Sequence, residues 1–170
     1  HGHMESVGYD MYLKLLGEAV SEEKGEAAQS ADLDCLIDIS VNAHIPESYV
    51  ESLTLRLDVY RRIADIRNKE DSLDVKDELK DRFGEIPESV LGLIDIALIR
   101  NCANAMGIYE IRQTDTNVLL FVKEIKSPKV IELLSRLNGR AMLSAGNKPY
   151  ITIRCGGGSS LDMLKKVFKI

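Results

Sequence analysis

The sequence KDELKDRFGEIPESV, residues 76–90, predicts the end of one helix and the start of the next. Glycine just past a helix end accepts the left-handed backbone conformation that terminates a helix, so the first helix is expected to end at Gly84. Proline at a first helical position loses no needed N–H, so the second helix is expected to open at Pro87. The stretch therefore predicts a sharp corner between two helices.

The residues before this corner divide between two helix faces. Val75, Leu79 and Phe83 recur every four residues, which predicts a shared face turned towards the core. A different face of the same helix carries three charged residues, Glu78, Asp81 and Arg82. This face has charge at a fixed corner but no catalytic grouping of side chains. It indicates a docking surface rather than an active site.

Composition limits the class of protein. The chain has 170 residues, 45% of them hydrophobic, and a formal net charge of −5. The sequence contains no run of about 18 apolar residues of the kind that would span a membrane. Three separated cysteines without a CxxC pair favour a reduced, cytoplasmic compartment. Charge is uneven: residues 1–40 carry −7, residues 41–111 carry −5 and residues 112–170 carry +7. Because the basic residues of the last part are dispersed among apolar ones, they are expected to form ordinary solvated faces.

Hydrophobic periodicity predicts an α+β fold. A helical N-terminal part with a central buried helix precedes a small antiparallel sheet in the order β-β-α-β-β-α, packed by helices. Helices are predicted over 7–20, 50–68, 87–106, 128–137 and 160–168, together with the helix that ends at Gly84. Strands are predicted over 33–39, 108–113, 117–124, 140–144 and 150–154. A turn is expected at 45–49, and residues 21–32 lack periodicity and have the composition of a linker.

Catalytic and metal-binding patterns are nearly absent. His44 lacks a partnered carboxylate pattern, so a loop or half-buried polar position is favoured over acid–base chemistry. Cys155 precedes a glycine run at a strand-to-helix junction. Such a placement is compatible with presenting a thiolate or an anion to the helix N-terminus, but a flexible glycine connection is favoured. No spacing indicates a metal ligand set, and no cofactor is expected in this fragment. In the helix 50–68, spacing predicts the ion pairs Asp58–Arg62 and Arg61–Asp65.

Several ordered motifs resemble a known family. They are ELKDRFGEIPESV at 78–90, followed by Leu93, Ala97, Arg100 and Gly107-Ile108, together with VGYDMY at 7–12, IPESY at 45–49, Arg56-Leu57 and YRRIA at 60–64. In this order they resemble the C-terminal domain of the bacterial transcription-repair coupling factor, often called Mfd. The resemblance covers roughly residues 6–124. His44 departs from the pattern, where a larger aromatic or aliphatic residue is expected.

The resemblance implies a domain organisation. Residues 1–4 are interpreted as an expression tag remnant, 5–24 as the terminal helix of an upstream translocase motor, 25–31 as a linker and 32–170 as the C-terminal regulatory domain. ATP and Mg would belong to the motor of the full-length protein. The regulatory domain would be non-catalytic and autoinhibitory, docking on a UvrB-like module of the same chain through Glu78, Asp81 and Arg82. Docking would mask UvrA binding and restrain the DNA translocase, with RNA polymerase and DNA as indirect partners and no membrane contact.

Two other classes of function remain open at the level of sequence. As a nucleic-acid-binding accessory domain, the basic C-terminal third would contact phosphates, and affinity would fall steeply with salt. As an enzyme, the chain would rely on Cys155 or His44 in a cleft with a perturbed pKa.

Overall fold

The computed structural model of the chain describes residues 34–170. Ten elements follow in order: β1 (Leu36–Asp38), α1 (Leu53–Ala64), α2 (Lys69–Phe83), α3 (Glu88–Ala105), β2 (Ile108–Thr114), β3 (Asn117–Val122), α4 (Pro128–Leu137), β4 (Ala141–Ser144), β5 (Tyr150–Arg154) and α5 (Ser160–Val167). The predicted α+β class is confirmed. The interpretations of residues 1–4, 5–24 and 25–31, and the helix predicted over 7–20, lie outside the described residues.

The described residues fall into two compact units. The first comprises residues 42–98, which contain α1, α2 and most of α3. The second comprises residues 34–41 and 99–170, which contain all five strands, the end of α3 and the two last helices. The chain passes from the first unit to the second within α3.

Helix α1 is shorter than the predicted helix 50–68. Ser52 caps its start by accepting a hydrogen bond from the N–H of Leu55 at 3.3 Å. After α1 ends, Asn68 accepts from the N–H of Asp71 at 2.8 Å and so caps the next helix, which begins at Lys69, directly after the predicted span. Leu53, the first residue of α1, is 56% exposed and lies off the buried face of the helix. The buried stripe consists of Val59, Tyr60, Ile63 and Ala64.

Helix α3 is the predicted central buried helix, and its bounds differ by one residue at each end. It begins at Glu88 rather than Pro87, because the carbonyl of Pro87 accepts from the N–H of Leu91 at 3.0 Å and Pro87 therefore occupies the cap position. Four of its side chains are 0% exposed in the first unit: Val90, Leu93, Ile94 and Ala97. Gly107, at φ +74°, follows the helix end as predicted.

The sheet has the strand order β1-β2-β3-β5-β4. Both predicted hairpins form, with β2 antiparallel to β3 and β4 antiparallel to β5. β1 pairs in parallel with β2, so the sheet is mixed rather than wholly antiparallel. The long helical segment between β1 and β2 is what makes a parallel pairing possible, since parallel strands need a long crossover. β4 is an edge strand.

One face of the sheet is buried in the second unit. Along β3, buried Val118, Leu120 and Val122 alternate with partly exposed residues. The same alternation places Ile151 and Ile153 of β5 on the buried face, since they pair with Leu120 and Val118. Helices α4 and α5 contribute buried apolar residues of their own, namely Val130, Leu133, Leu164 and Val167.

Candidate docking surface

The corner between α2 and α3 is built by local backbone geometry. Gly84 has φ +86°, and its N–H donates to the carbonyl of Lys80 at 3.0 Å, which closes the last turn of α2. A Cβ at this position would meet nothing within 4 Å. Glycine is therefore favoured here by the backbone angle and not by crowding. The prediction that α2 ends at Gly84 is confirmed.

Tyr49 holds the corner from the preceding turn. Its hydroxyl lies 3.2 Å from the carbonyl oxygen of Leu79 and 3.0 Å from that of Gly84, so one proton serves two acceptors. Its ring packs against Phe83 with centroids 5.7 Å apart. Partial burial, and secondly the charge of Glu85, raise the pKa of Tyr49 above its ordinary value. The hydroxyl therefore keeps the proton that it donates to the helix end.

The predicted inward face of α2 is confirmed at two of its three positions. Val75 is 0% and Leu79 is 1% exposed. Phe83 is only partly buried, because it lies in the last turn of α2, between the ring of Tyr49 and the guanidinium of Arg82, which is 4.9 Å from the Phe83 ring centroid.

Glu78 accepts from two arginines on two helices. One carboxylate oxygen lies 3.1 Å from Nε of Arg62 on α1, and the other lies 3.2 Å from Nη1 of Arg82 on α2. The Glu78–Arg82 pair has the i,i+4 spacing expected from the sequence. The Arg62–Glu78 pair joins residues 16 positions apart, and sequence reasoning missed it. No local pattern signals such a pair.

The ion pairs predicted within α1 were wrong. Arg62 bonds to Glu78 and not to Asp58. Arg61 lies 3.8 Å from Asp58, at i,i+3 spacing, rather than pairing with Asp65. Asp65 stands at the C-cap of α1, where its backbone N–H, and not its side chain, bonds to Arg61 through the Arg61 carbonyl at 3.1 Å.

The three predicted docking residues face solvent on α2. The side chains of Glu78 and Arg82 are 36% and 43% exposed, and Asp81 is exposed and adjacent to Arg82. Arg62, at 46% exposure, extends the group from α1. We call Arg62, Glu78, Asp81 and Arg82 the charged corner. The two Glu78 ion pairs join three of these side chains, and Asp81 stands beside Arg82 near the end of α2.

The other candidate residues have structural partners. Nδ1 of His44 lies 3.0 Å from Oδ1 of Asn42, and the backbone N–H of His44 donates to the carbonyl of Ser89 at 3.3 Å. His44 is thus part of the loop that leads to the turn at 46–49. Within residues 34–170 no group of three or more His, Cys, Asp or Glu side chains is arranged to hold a metal ion.

Cys155 lies between β5 and α5, as predicted. Its Sγ is 3.9 Å from Oγ of Ser160, the first residue of α5. Ser160 in turn donates to Oε1 of Gln113 at 2.6 Å, and the same oxygen accepts from the backbone N–H of Ser40 at 2.8 Å. This network joins the glycine connection to the sheet, so it favours the structural interpretation of the junction.

A second cysteine is deeply buried in the second unit. Cys35 is 4% exposed, and its N–H donates to Oδ1 of Asn104 at 2.7 Å. Burial, with a smaller contribution from Glu110, raises the pKa of the Cys35 thiol to about 12. A thiol that stays protonated at neutral pH is a poor nucleophile and a poor metal ligand.

The element order and the mixed five-stranded sheet define an α+β domain of a known class. The chain matches the crystal structure of the C-terminal domain of a transcription-repair coupling factor with a TM-score of 0.70. The match covers 80% of this chain and 88% of that chain, at 17% sequence identity. At that identity the comparison establishes the fold.

Sequence comparison establishes the family. The model of the TRCF domain matches residues 39–132, more than half of the chain, which therefore belongs to the TRCF domain family. A transcription-repair-coupling factor of Bacillus subtilis is 31% identical over 98% of this chain. Those of Staphylococcus epidermidis and Mycobacterium bovis are 34% and 35% identical over 78% and 65% of it. The chain spans only 15% of the length of the Bacillus relative.

No helix within residues 34–170 is both long and apolar enough to cross a membrane.

Proposed function

We propose that this chain is the C-terminal regulatory domain of a cytoplasmic transcription-repair coupling factor, and that it acts as a non-catalytic, autoinhibitory interaction domain. In this proposal Glu78, Asp81 and Arg82 dock on the UvrB-like module of the same protein. The observation that carries the proposal is the charged corner, where the Glu78 carboxylate is held at 3.1 and 3.2 Å by two arginines on different helices.

The charged corner suits recognition because ion pairs orient three of its four side chains before a partner arrives. An arginine loses several rotamers when an interface immobilises it, and that loss weakens binding. Arg82 is already oriented by Glu78 and by the ring of Phe83. A guanidinium has five N–H donors, so Arg82 retains donors for a partner carboxylate while it pairs with Glu78. Asp81 offers an exposed acceptor next to it.

Opposite charges side by side also favour specificity over general adhesion. A surface of one sign attracts any oppositely charged polymer, whereas a mixed group matches only a partner with the complementary arrangement. The charged corner contains two arginines and two carboxylates. This composition supports a protein module as partner.

The docked domain would act by covering a surface. With the regulatory domain in place, the UvrA-binding surface of the UvrB-like module is masked and the ATP- and Mg-dependent motor upstream is restrained. Release of the domain would expose the UvrA-binding surface and free the motor. UvrA would then be recruited when RNA polymerase and DNA engage the full-length protein. The regulatory domain itself contributes no catalytic group to these steps.

The test is a calorimetric titration of this chain with the isolated UvrB-like module of the same protein. The triple variant Glu78→Ala, Asp81→Ala, Arg82→Ala should bind at least about 30-fold more weakly, since truncating one partner of a buried interfacial charge pair costs roughly 2–5 kcal/mol. A matched control is Glu124→Ala, Lys126→Ala, Glu132→Ala, which also removes two exposed acids and one exposed base, but in the second unit.

The control variant should bind as the wild type does. Unchanged binding by the corner triple variant, with an unchanged melting temperature, would remove these residues from the mechanism. Equal loss in both triple variants would show that binding responds to general charge and not to the charged corner.

A further inference from the structure

The second unit contains a pocket of about 790 Å³ at the edge of the sheet next to β4. Its apolar walls come from the end of α4, from β5 and from α5, through Leu137, Ile153, Met163 and Val167. Ile153 and Val167 are 3% and 4% exposed, so they form a fixed floor. Ligand pockets typically enclose about 300–1,000 Å³ with mostly apolar walls, so this cavity has the size of a small-molecule site.

Positively charged side chains surround this pocket. They come from α4, the α4–β4 connection, β5, α5 and the segment after it: Arg136, Arg140, Arg154, Lys166 and Lys169. No Asp or Glu is among the residues that line it. The sequence suggested dispersed cations on solvated faces, but the fold gathers these five. A cleft lined by one sign of charge concentrates anions of the opposite sign.

Two lining residues of the pocket have distinctive polar atoms. The guanidinium of Arg136 donates to the carbonyl oxygen of Val167 at the end of α5, which fixes one cation at the rim. Asn117 also lines the pocket, and its side-chain oxygen is buried without a hydrogen-bond partner in the described chain.

We propose that this basic pocket, defined by its five cations and the apolar floor of Ile153 and Val167, binds a small organic anion with an apolar body. The cations select the anionic group, and the floor takes the apolar part. An inorganic anion alone would leave the floor uncovered, and an uncharged apolar molecule would leave the cations unmatched. The proposal concerns residues 117–169 only and is independent of the docking role of the charged corner.

The probe is 8-anilinonaphthalene-1-sulfonate, which joins an aromatic body to a sulfonate and fluoresces more strongly in apolar surroundings. We expect saturable 1:1 binding to the folded chain that weakens as salt rises, because exposed charges are screened. Two competitors each carry one part of the probe: inorganic sulfate carries only the anion, and 1-naphthalenemethanol carries only the apolar body. Each should displace the probe only at concentrations about tenfold or more above those needed by 1-naphthalenesulfonate.

Two variants test the two parts of the pocket. The double variant Arg140→Glu, Lys166→Glu should raise the Kd of the probe about tenfold or more. The control double variant Lys126→Glu, Lys148→Glu changes the net charge equally but lies outside the pocket. It should leave the Kd unchanged. Ala141→Trp should obstruct the pocket without changing charge and should also abolish binding. Circular dichroism and melting of each variant establish that it is folded.

The pattern of results decides the proposal. Selective loss in the two pocket variants, with the control unchanged, supports it. Equal weakening by both pairs of charge reversals, or full binding by folded Ala141→Trp, would show adhesion outside the pocket and overturn it. Displacement by inorganic sulfate as effective as by 1-naphthalenesulfonate would also overturn it, because the apolar floor would then contribute nothing.

Discussion

Arg62 offers a sensitive test of how the charged corner is assembled. It lies on α1 and is outside the predicted docking set, but its Nε is 3.1 Å from the Glu78 carboxylate on α2. Replacing Arg62 by Ala removes one of the two side chains that orient Glu78 and leaves Arg82 as the other. We expect this change to affect docking more than folding.

The magnitudes follow from exposure. The Arg62 and Glu78 side chains are 46% and 36% exposed, and exposed ion pairs contribute about 0.2–1 kcal/mol. Arg62→Ala should therefore lower the melting temperature by at most about 4 °C for a chain of this size. Binding to the UvrB-like module, where Glu78 would lose water, should weaken about three- to tenfold, corresponding to about 0.7–1.4 kcal/mol.

The assay is a double-mutant cycle that combines Arg62→Ala with Glu78→Ala, measured by calorimetric titration with the UvrB-like module. Because Arg62 is expected to act through Glu78, it should have almost no effect in the Glu78→Ala background. Arg61→Ala is the control, since that side chain is 61% exposed and lies 3.8 Å from Asp58 instead. An effect of Arg62→Ala that is equally large in the wild-type and Glu78→Ala backgrounds would refute the proposal that Arg62 acts by orienting Glu78.

Three further predictions concern stability and catalysis. Leu79→Ala should lower the free energy of unfolding by about 2–5 kcal/mol, because Leu79 is 1% exposed, whereas Leu73→Ala, at 59% exposure, should change it by less than about 0.5 kcal/mol in urea melts. Burial raises the Cys35 pKa from 9.0 to about 12, so its contribution to stability is complete below pH 9 and is lost as pH rises through 12. Between pH 8 and pH 10.5 the wild type should lose about 2 kcal/mol more than Cys35→Ala, and equal losses would contradict this linkage. The purified fragment should hydrolyse no ATP, since its sequence lacks a phosphate-binding loop with a terminal lysine, and turnover that persists through further purification would contradict this.

The corner between α2 and α3 was predictable because its signals are local. Gly84 needs a positive φ, and Val75 and Leu79 share one helical face, so a few neighbouring residues determine the geometry. The hairpins and α4 were predictable for the same reason. Helix α1 was predicted too long at both ends, because Ser52 caps its start inside the predicted span and the chain leaves the helix after Ala64, before Asn68 caps α2.

The contacts between distant segments were not predictable. Arg62 has the i,i+4 spacing that would pair it with Asp58 on its own helix. Only the packing of α1 beside α2 brings it to Glu78 instead. The basic pocket is similar, since its cations are far apart in sequence and meet only in the folded second unit. The parallel pairing of β1 also depends on tertiary structure, because a three-residue strand carries no signal of its direction.

The most direct test of autoinhibition is a titration of UvrA with the full-length coupling factor that contains this domain. The comparison includes the wild type, the triple variant Glu78→Ala, Asp81→Ala, Arg82→Ala, and the control triple variant in the second unit. If the charged corner keeps the UvrB-like module masked, the corner variant should bind UvrA at least about tenfold more tightly than the other two proteins. Equal affinity for UvrA in all three proteins would contradict the account.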